Sequence, residues 1–130
     1  MNTKTRLTAL AGAGALLAAP LALVATASPA HADVERHGTC GAGRYELSVD
    51  REGTGWEVDA GLENVAPGSS WTFVLKQDGN RYLTVTRRAD REGDVDVDAY
   101  RRNTAGSDTF RFKAVPVGGG TGCSAGITVG

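Results

Sequence analysis

The sequence predicts an all-β fold, a sandwich of about seven short antiparallel strands, from three observations. After residue 33 no segment keeps a helical period, and apolar and polar residues alternate in short runs instead. Glycine, proline, asparagine and aspartate separate those runs as strand-and-turn architecture requires. The two cysteines, Cys40 and Cys123, bracket nearly all of the runs.

Residues 1–32 stand apart from that pattern. Lys4 and Arg6 make a positive start, an apolar run from Leu7 to Ala27 broken by Pro20 follows, and Ala30-His31-Ala32 presents small residues where a signal peptidase reads. The apolar run could just span a bilayer, but its Ala and Gly content, its proline and the cleavage-type site predict a signal peptide that is removed. The expected mature protein is secreted and extracellular, with no membrane attachment after cleavage.

Removal of 32 of the 130 residues leaves 98, one domain with an adequate single core. Losing Lys4 and Arg6 takes the net charge from −1 to −3, a balance that argues against nucleic acid as a partner. Two cysteines in an exported chain are expected to pair. Counting both ends, the bridge would close a loop of 84 residues and contribute about 4.5 kcal/mol in the chain-entropy model. Two thiols with one mature histidine make a poor zinc set.

The elements follow in order. Arg44 to Asp50 turns Tyr45, Leu47 and Val49 to one face, and Trp56 to Leu62 does the same with Trp56, Val58, Ala60 and Leu62. Pro67-Gly68 suits the centre of a type II turn. Trp71 to Lys76 buries Trp71, Phe73 and Leu75, and Asp78-Gly79 predicts a tight hairpin into Arg81 to Arg88, with Leu83 and Val85 inward and Tyr82 exposed. Asp94 to Arg101 alternates strictly, with Val95, Val97 and Ala99 inward and Asp94, Asp96, Asp98 and Tyr100 outward. Thr109 to Val115 buries Phe110, Phe112 and Ala114, and after a glycine-rich connection the last run is Cys123 to Val129.

Seven such strands in about 90 residues indicate an immunoglobulin-like sandwich. Divided as in fibronectin type III domains, it places the first, second and fifth strands in one sheet and the others in the second. Residues 44–130 form the sandwich domain, and residues 33–43 are an N-terminal tail carrying Cys40. In this topology the first and last strands run side by side in parallel along one edge, where a Cys40–Cys123 bridge would staple the chain ends together. Cys40-Gly41-Ala42-Gly43-Arg44-Tyr45, Gly68-Ser69-Ser70-Trp71, the aspartate-rich fifth strand, Gly106-Ser107-Asp108-Thr109 and Cys123 together resemble a family of small secreted actinobacterial proteins. The resemblance covers the whole mature chain. It implies export and an immunoglobulin-like sandwich, and it implies no activity and no functional residues.

Catalytic chemistry is not expected. His37, the one mature histidine, falls in the tail, whereas a nucleophile–His–acid site needs its histidine held firmly. The strand carboxylates point outward, where solvent keeps their pKa values ordinary. Asp94, Asp96 and Asp98 invite a calcium reading, but strand residues two apart project about 6.5–7 Å from one another, and calcium draws its oxygens to about 2.3–2.6 Å. The bland reading is a solvated, charged strand face that discourages aggregation. No metal and no cofactor is expected. Trp56, Trp71, Phe73, Phe110 and Phe112 fall in the buried phase, which leaves only Tyr82 and Tyr100 for a carbohydrate platform.

The two outer faces differ in charge. Glu46, Asp50, Glu57, Asp59, Asp94, Asp96 and Asp98 fall on the first, and Lys76, Arg88, Arg111 and Lys113 on the second. Like charges opposite one another across strands are mildly destabilising, so an acidic face at Glu57, Asp59, Asp94, Asp96 and Asp98 is a candidate interaction surface. A hairpin between the fourth and fifth strands would undo the segregation by setting Arg88 against Asp94. The leading expectation is a monomeric, non-enzymatic binding module with an extracellular or cell-wall partner. The alternatives are a small-ligand carrier of the neocarzinostatin-apoprotein type and a secreted protease inhibitor. The first would have a cleft between sheet and hairpin, the second a rigid loop braced by its own disulfide.

Overall fold

The structure, a computed structural model, describes residues 34–130. The signal peptide expected at residues 1–32, and Asp33, expected to begin the mature chain, lie outside the described residues. Eight strands and no helix make up the described chain: β1 (Val34–Cys40), β2 (Gly43–Glu52), β3 (Gly55–Glu63), β4 (Ser70–Gln77), β5 (Asn80–Arg88), β6 (Val95–Arg102), β7 (Asp108–Pro116) and β8 (Cys123–Val129). They form two four-stranded antiparallel sheets, sheet I in the order β1-β2-β3-β6 and sheet II in the order β5-β4-β7-β8. Apart from β1, this is the fibronectin-type division expected from the sequence.

The extra strand corrects the reading of residues 33–43 as a tail. Val34 to Cys40 pairs residue for residue with Val49 to Gly43, so His37 sits on a strand opposite Glu46. Its side chains carry little apolar signal, because Val34 and Cys40 are its only hydrophobic residues. Gly38 lies opposite Tyr45, and a Cβ there would collide with the tyrosine ring. The glycine therefore lets that ring close over β1 on its way to Phe112 of the other sheet, 5.4 Å between centroids.

The turn chemistry read from the sequence matches the backbone. Asp78 and Gly79 both have positive φ, 51° and 84°, as a two-residue type I′ hairpin demands, and Gln77 faces Asn80 across it. Gly68 sits at φ 80°, and the Ser69 amide donates to the Ala66 carbonyl at 3.0 Å, closing the turn around Pro67-Gly68.

The inward phases of the strands meet in one core that contains Leu47, Val49, Val58, Leu62, Phe73, Leu75, Phe110, Phe112 and Ile127, with both tryptophans at its margins. Tyr82 departs from expectation. A β-bulge between Leu75 and Lys76 makes Tyr82 the additional residue on β5, and both Tyr82 and Leu83 pack against the core. The Arg101 guanidinium lies 4.1 Å from the Tyr82 ring centroid and closes the seam between β6 and β5. Burial pushes the Tyr82 hydroxyl up to about 12, and that hydroxyl has no hydrogen-bond partner. Tyr82→Phe is therefore expected to be neutral or stabilising by up to about 1 kcal/mol, measured by urea unfolding; a loss above that would mean the hydroxyl is bonded in solution.

The other seam is closed covalently. Cys40 and Cys123 form a disulfide with Cα atoms 5.0 Å apart, joining the end of β1 to the start of β8. Arg36, before Cys40, donates from Nε to the Gly126 carbonyl, after Cys123, at 3.4 Å. The two edge strands thus run in opposite directions across the seam. β2, the first strand expected from the sequence, runs parallel to β8 and also touches it, and β1 is the added edge strand that carries the bridge. At the far end of the sandwich the buried Asp108 carboxylate accepts hydrogen bonds from Trp56 Nε1 (3.1 Å), Gln77 Nε2 (2.9 Å) and the amide and hydroxyl of Thr104. Gln77 in turn accepts from Arg101 Nε at 2.9 Å and donates to the Arg102 carbonyl at 2.9 Å, so the network ties both sheets together.

Candidate functional site

The pairing places the outward residues of each sheet in transverse rows. On sheet I one row runs Glu35–Ser48–Asp59–Asp98, the next His37–Glu46–Gly61–Asp96, and on the other side Asp50 faces Glu57. Four of the five candidate acidic residues, Glu57, Asp59, Asp96 and Asp98, share this face. Asp94 does not join them. It precedes β6, in a turn where its amide donates to Asp90 Oδ1 at 3.0 Å and its carbonyl accepts from the Asp90 amide at 3.0 Å. The Asp90 carboxylate also receives the Glu92 amide at 2.8 Å, and these backbone donors hold its pKa below the usual range.

Alternation makes Asp96 and Asp98 neighbours along one strand, yet the close grouping is across strands. Carboxylate oxygens of Glu57, Asp59 and Asp98 lie within 4.8 Å of one another, because Asp59 and Asp98 are directly opposite. Partial burial, then Asp98, Asp96 and Glu46, raises the Asp59 pKa. Burial, then Asp59, Asp98 and Glu52, raises that of Glu57. These two shifts correct the expectation of ordinary outward carboxylates: register, not depth alone, concentrates the charge.

Glu35, His37 and Glu46 gather similarly at the β1 edge, with His37 Nε2 3.1 Å from a Glu35 oxygen and 3.9 Å from a Glu46 oxygen. Asp90, Glu92 and Asp94 form a third acidic group in their turn. Carboxylate and imidazole atoms of this kind are potential cation ligands, and all three groups are solvent-facing.

An acid with a raised folded pKa loses stability as pH rises through that pKa, and the penalty is complete above it. Asp59→Asn is thus expected to stabilise the fold at pH 7 by about 0.5 kcal/mol, a solvent-screened cross-strand repulsion. The gain should shrink toward pH 3, as acid takes the charge off Asp59 through its raised value. Thermal melts at the two pH values decide this, and an equal gain at both would point to packing instead.

Sheet II presents the opposite sign. Its outer row Arg81–Lys76–Arg111–Gly126 crosses all four strands, and the neighbouring row is Thr84–Val74–Lys113–Ser124. Lys76, Arg81, Arg111 and Lys113, with Val74, Phe112 and Ser124, line an open cleft of about 370 Å³. Not one acidic residue lines it, and its four cations make no ion pair among the described residues. Arg88 lies outward on the same sheet, opposite Ser70.

Because β5 pairs with β4 and β6 with β3, Arg88 does not meet Asp94, and the two faces remain opposite in charge. Arg81 is the site residue that alternation missed. The signal was available: a two-residue Asp78-Gly79 turn sets Gln77 opposite Asn80, hence Lys76 opposite Arg81.

Comparison with known proteins finds no matching family model, no matching curated protein and no matching solved structure.

Proposed function

We propose that this chain is an exported, non-enzymatic binding module that meets its partner outside the cell through the charged outer faces of the sandwich. The observation that carries this reading is the segregation of charge, with acidic rows on sheet I and an acid-free cationic cleft on sheet II. Like charges aligned across strands cost stability, so a sandwich that keeps them on both outer faces is under some other demand.

The disulfide supports an oxidising compartment. Among the described residues no helix is long and apolar enough to cross a membrane. The resemblance to small secreted actinobacterial proteins would agree with this. Between the sheets, Phe73, Phe110, Phe112 and Leu47 are fully buried, which favours recognition on the outside over carriage of a small ligand within. His37 lies exposed on an edge strand, hydrogen-bonded to Glu35, a placement that favours binding over acid–base catalysis.

The test is retention of the purified protein on the producing organism's cell-wall fraction and in its culture fluid at low and high salt. Charge-neutralised variants of each face, Asp59→Asn/Asp98→Asn and Lys76→Gln/Arg111→Gln, run alongside. Retention that falls with salt and with one face's variant is expected. Retention indifferent to salt and to both variants overturns the reading.

A further inference from the structure

We propose that the cationic row of sheet II is a docking track for an extended phosphodiester-linked polyol chain. This inference rests on the reading above and names the partner of one of its faces. Arg81, Lys76 and Arg111 stand on adjacent strands in direct register, so they are spaced by about 4.8 Å each. Lys113 stands beside them one row along. The row ends at Gly126, where a Cβ would sit 3.1–3.3 Å from Arg111 side-chain atoms. Glycine there lets the Arg111 side chain lie along β8 and leaves the track open at the sheet edge. Arg36, reaching over from sheet I to the Gly126 carbonyl, adds a further cation at that end. A line of charge crossing three of the sheet's four strands suits a polymer with regularly repeated charges better than a single small anion.

The hydrogen-bonding character of the cleft selects the chemistry of that polymer. Lysine and arginine only donate, and Ser124 supplies the one hydroxyl among the lining side chains. A sugar acid would bring more free hydroxyls for each charge than a glycerol-phosphate repeat, and the lining offers no carboxylate or amide side chain to receive them. Phosphodiester oxygens only accept, and guanidinium forks match them bidentately. Single-stranded nucleic acid carries the same linkage, but its recognition relies on aromatic platforms for the bases. The one aromatic residue of the lining, Phe112, is buried beneath the sheet. A polyol phosphate, compact and without bases, fits what remains.

The experiment is calorimetric titration of the protein, its Cys40–Cys123 bridge intact, with a synthetic glycerol-phosphate oligomer at 50 and 200 mM salt. With about four contacts, affinity should fall about 50-fold between the two salt concentrations. Lys76→Gln/Arg111→Gln should weaken binding about 30-fold at the lower salt and flatten the salt dependence, with a melting temperature no lower than the wild type's certifying the fold. Asp59→Asn/Asp98→Asn should leave it unchanged or slightly stronger. Equal binding of a polyuronate or a single-stranded DNA oligomer of the same charge would overturn the polyol-phosphate assignment. No binding of the oligomer at 50 mM salt, alongside salt-sensitive retention on the wall fraction, would overturn the track and leave the binding-module reading standing. Loss of both would remove the reading itself.

Discussion

The double variant Cys40→Ala/Cys123→Ala is expected to lose about 4 kcal/mol of stability, the largest single effect in this fold. The bridge spans a sequence separation of 83 residues, so its loss returns a long loop's worth of freedom to the unfolded chain. It also joins sheet I to sheet II along an edge that the Arg36–Gly126 hydrogen bond ties as well. A domain of this size is stable by only about 5–15 kcal/mol in total. In a thermal melt the loss corresponds to roughly 15–30 °C. Reduction of the wild-type bridge should reproduce most of the shift, whereas a change below about 1 kcal/mol would mean that native strain offsets the loop term.

Asp108→Ala is expected to cost about 3 kcal/mol. Asp108 is fully buried, and truncation orphans the donors from Trp56, Gln77 and Thr104 that its carboxylate now satisfies. Asp108→Asn keeps one acceptor oxygen and turns an amide donor toward another donor, so an intermediate loss of about 1.5 kcal/mol is expected. Burial by itself would raise the Asp108 pKa, but the hydrogen bonds from Thr104, Gln77 and Trp56 outweigh it and hold the group below its usual value.

The sign of the pH dependence follows. The carboxylate's contribution is fully present above the ordinary aspartate value of about 3.9 and is lost as pH falls through the lower folded value. The gap between wild type and Asp108→Ala should narrow below about pH 4 in urea melts. Glu57 and Asp59 act in the opposite sense, since their raised values make ionisation a cost that mild acid relieves. A gap that stayed constant down to pH 2 would mean that Asp108 contributes through shape and not through charge.

Most of the fold was legible because its signals are local. Alternation set the phase of each long strand, and Asp78-Gly79 and Pro67-Gly68 set two turns, as their φ values show. What escaped has non-local causes. β1 holds its place by backbone pairing to β2 and by the bridge, not by an apolar face, so hydrophobic pattern could not reveal it. Tyr82 was misplaced because period-two counting backwards from Leu83 and Val85 cannot anticipate a bulge. Counting forward from the turn would have placed both Arg81 and Tyr82. Asp94 looked like one more outward aspartate, and only the closure of its turn onto Asp90 removes it from the row. The clustering of Glu57 with Asp59 and Asp98 depends on which strand lies next to β3, information that no single strand contains.

The position of the disulfide has a mechanical consequence. Cys40 ends the first described strand and Cys123 begins the last, so tension applied to the two ends of the domain reaches the bridge after only β1 and β8 have peeled away. The 83 peptide units between the cysteines, about 290 Å of contour length, then bear no load. A protein lodged on a surface by one charged face would meet shear as a short, inextensible tether, and the part of each row on the six strands between the cysteines would keep its register while the ends are pulled.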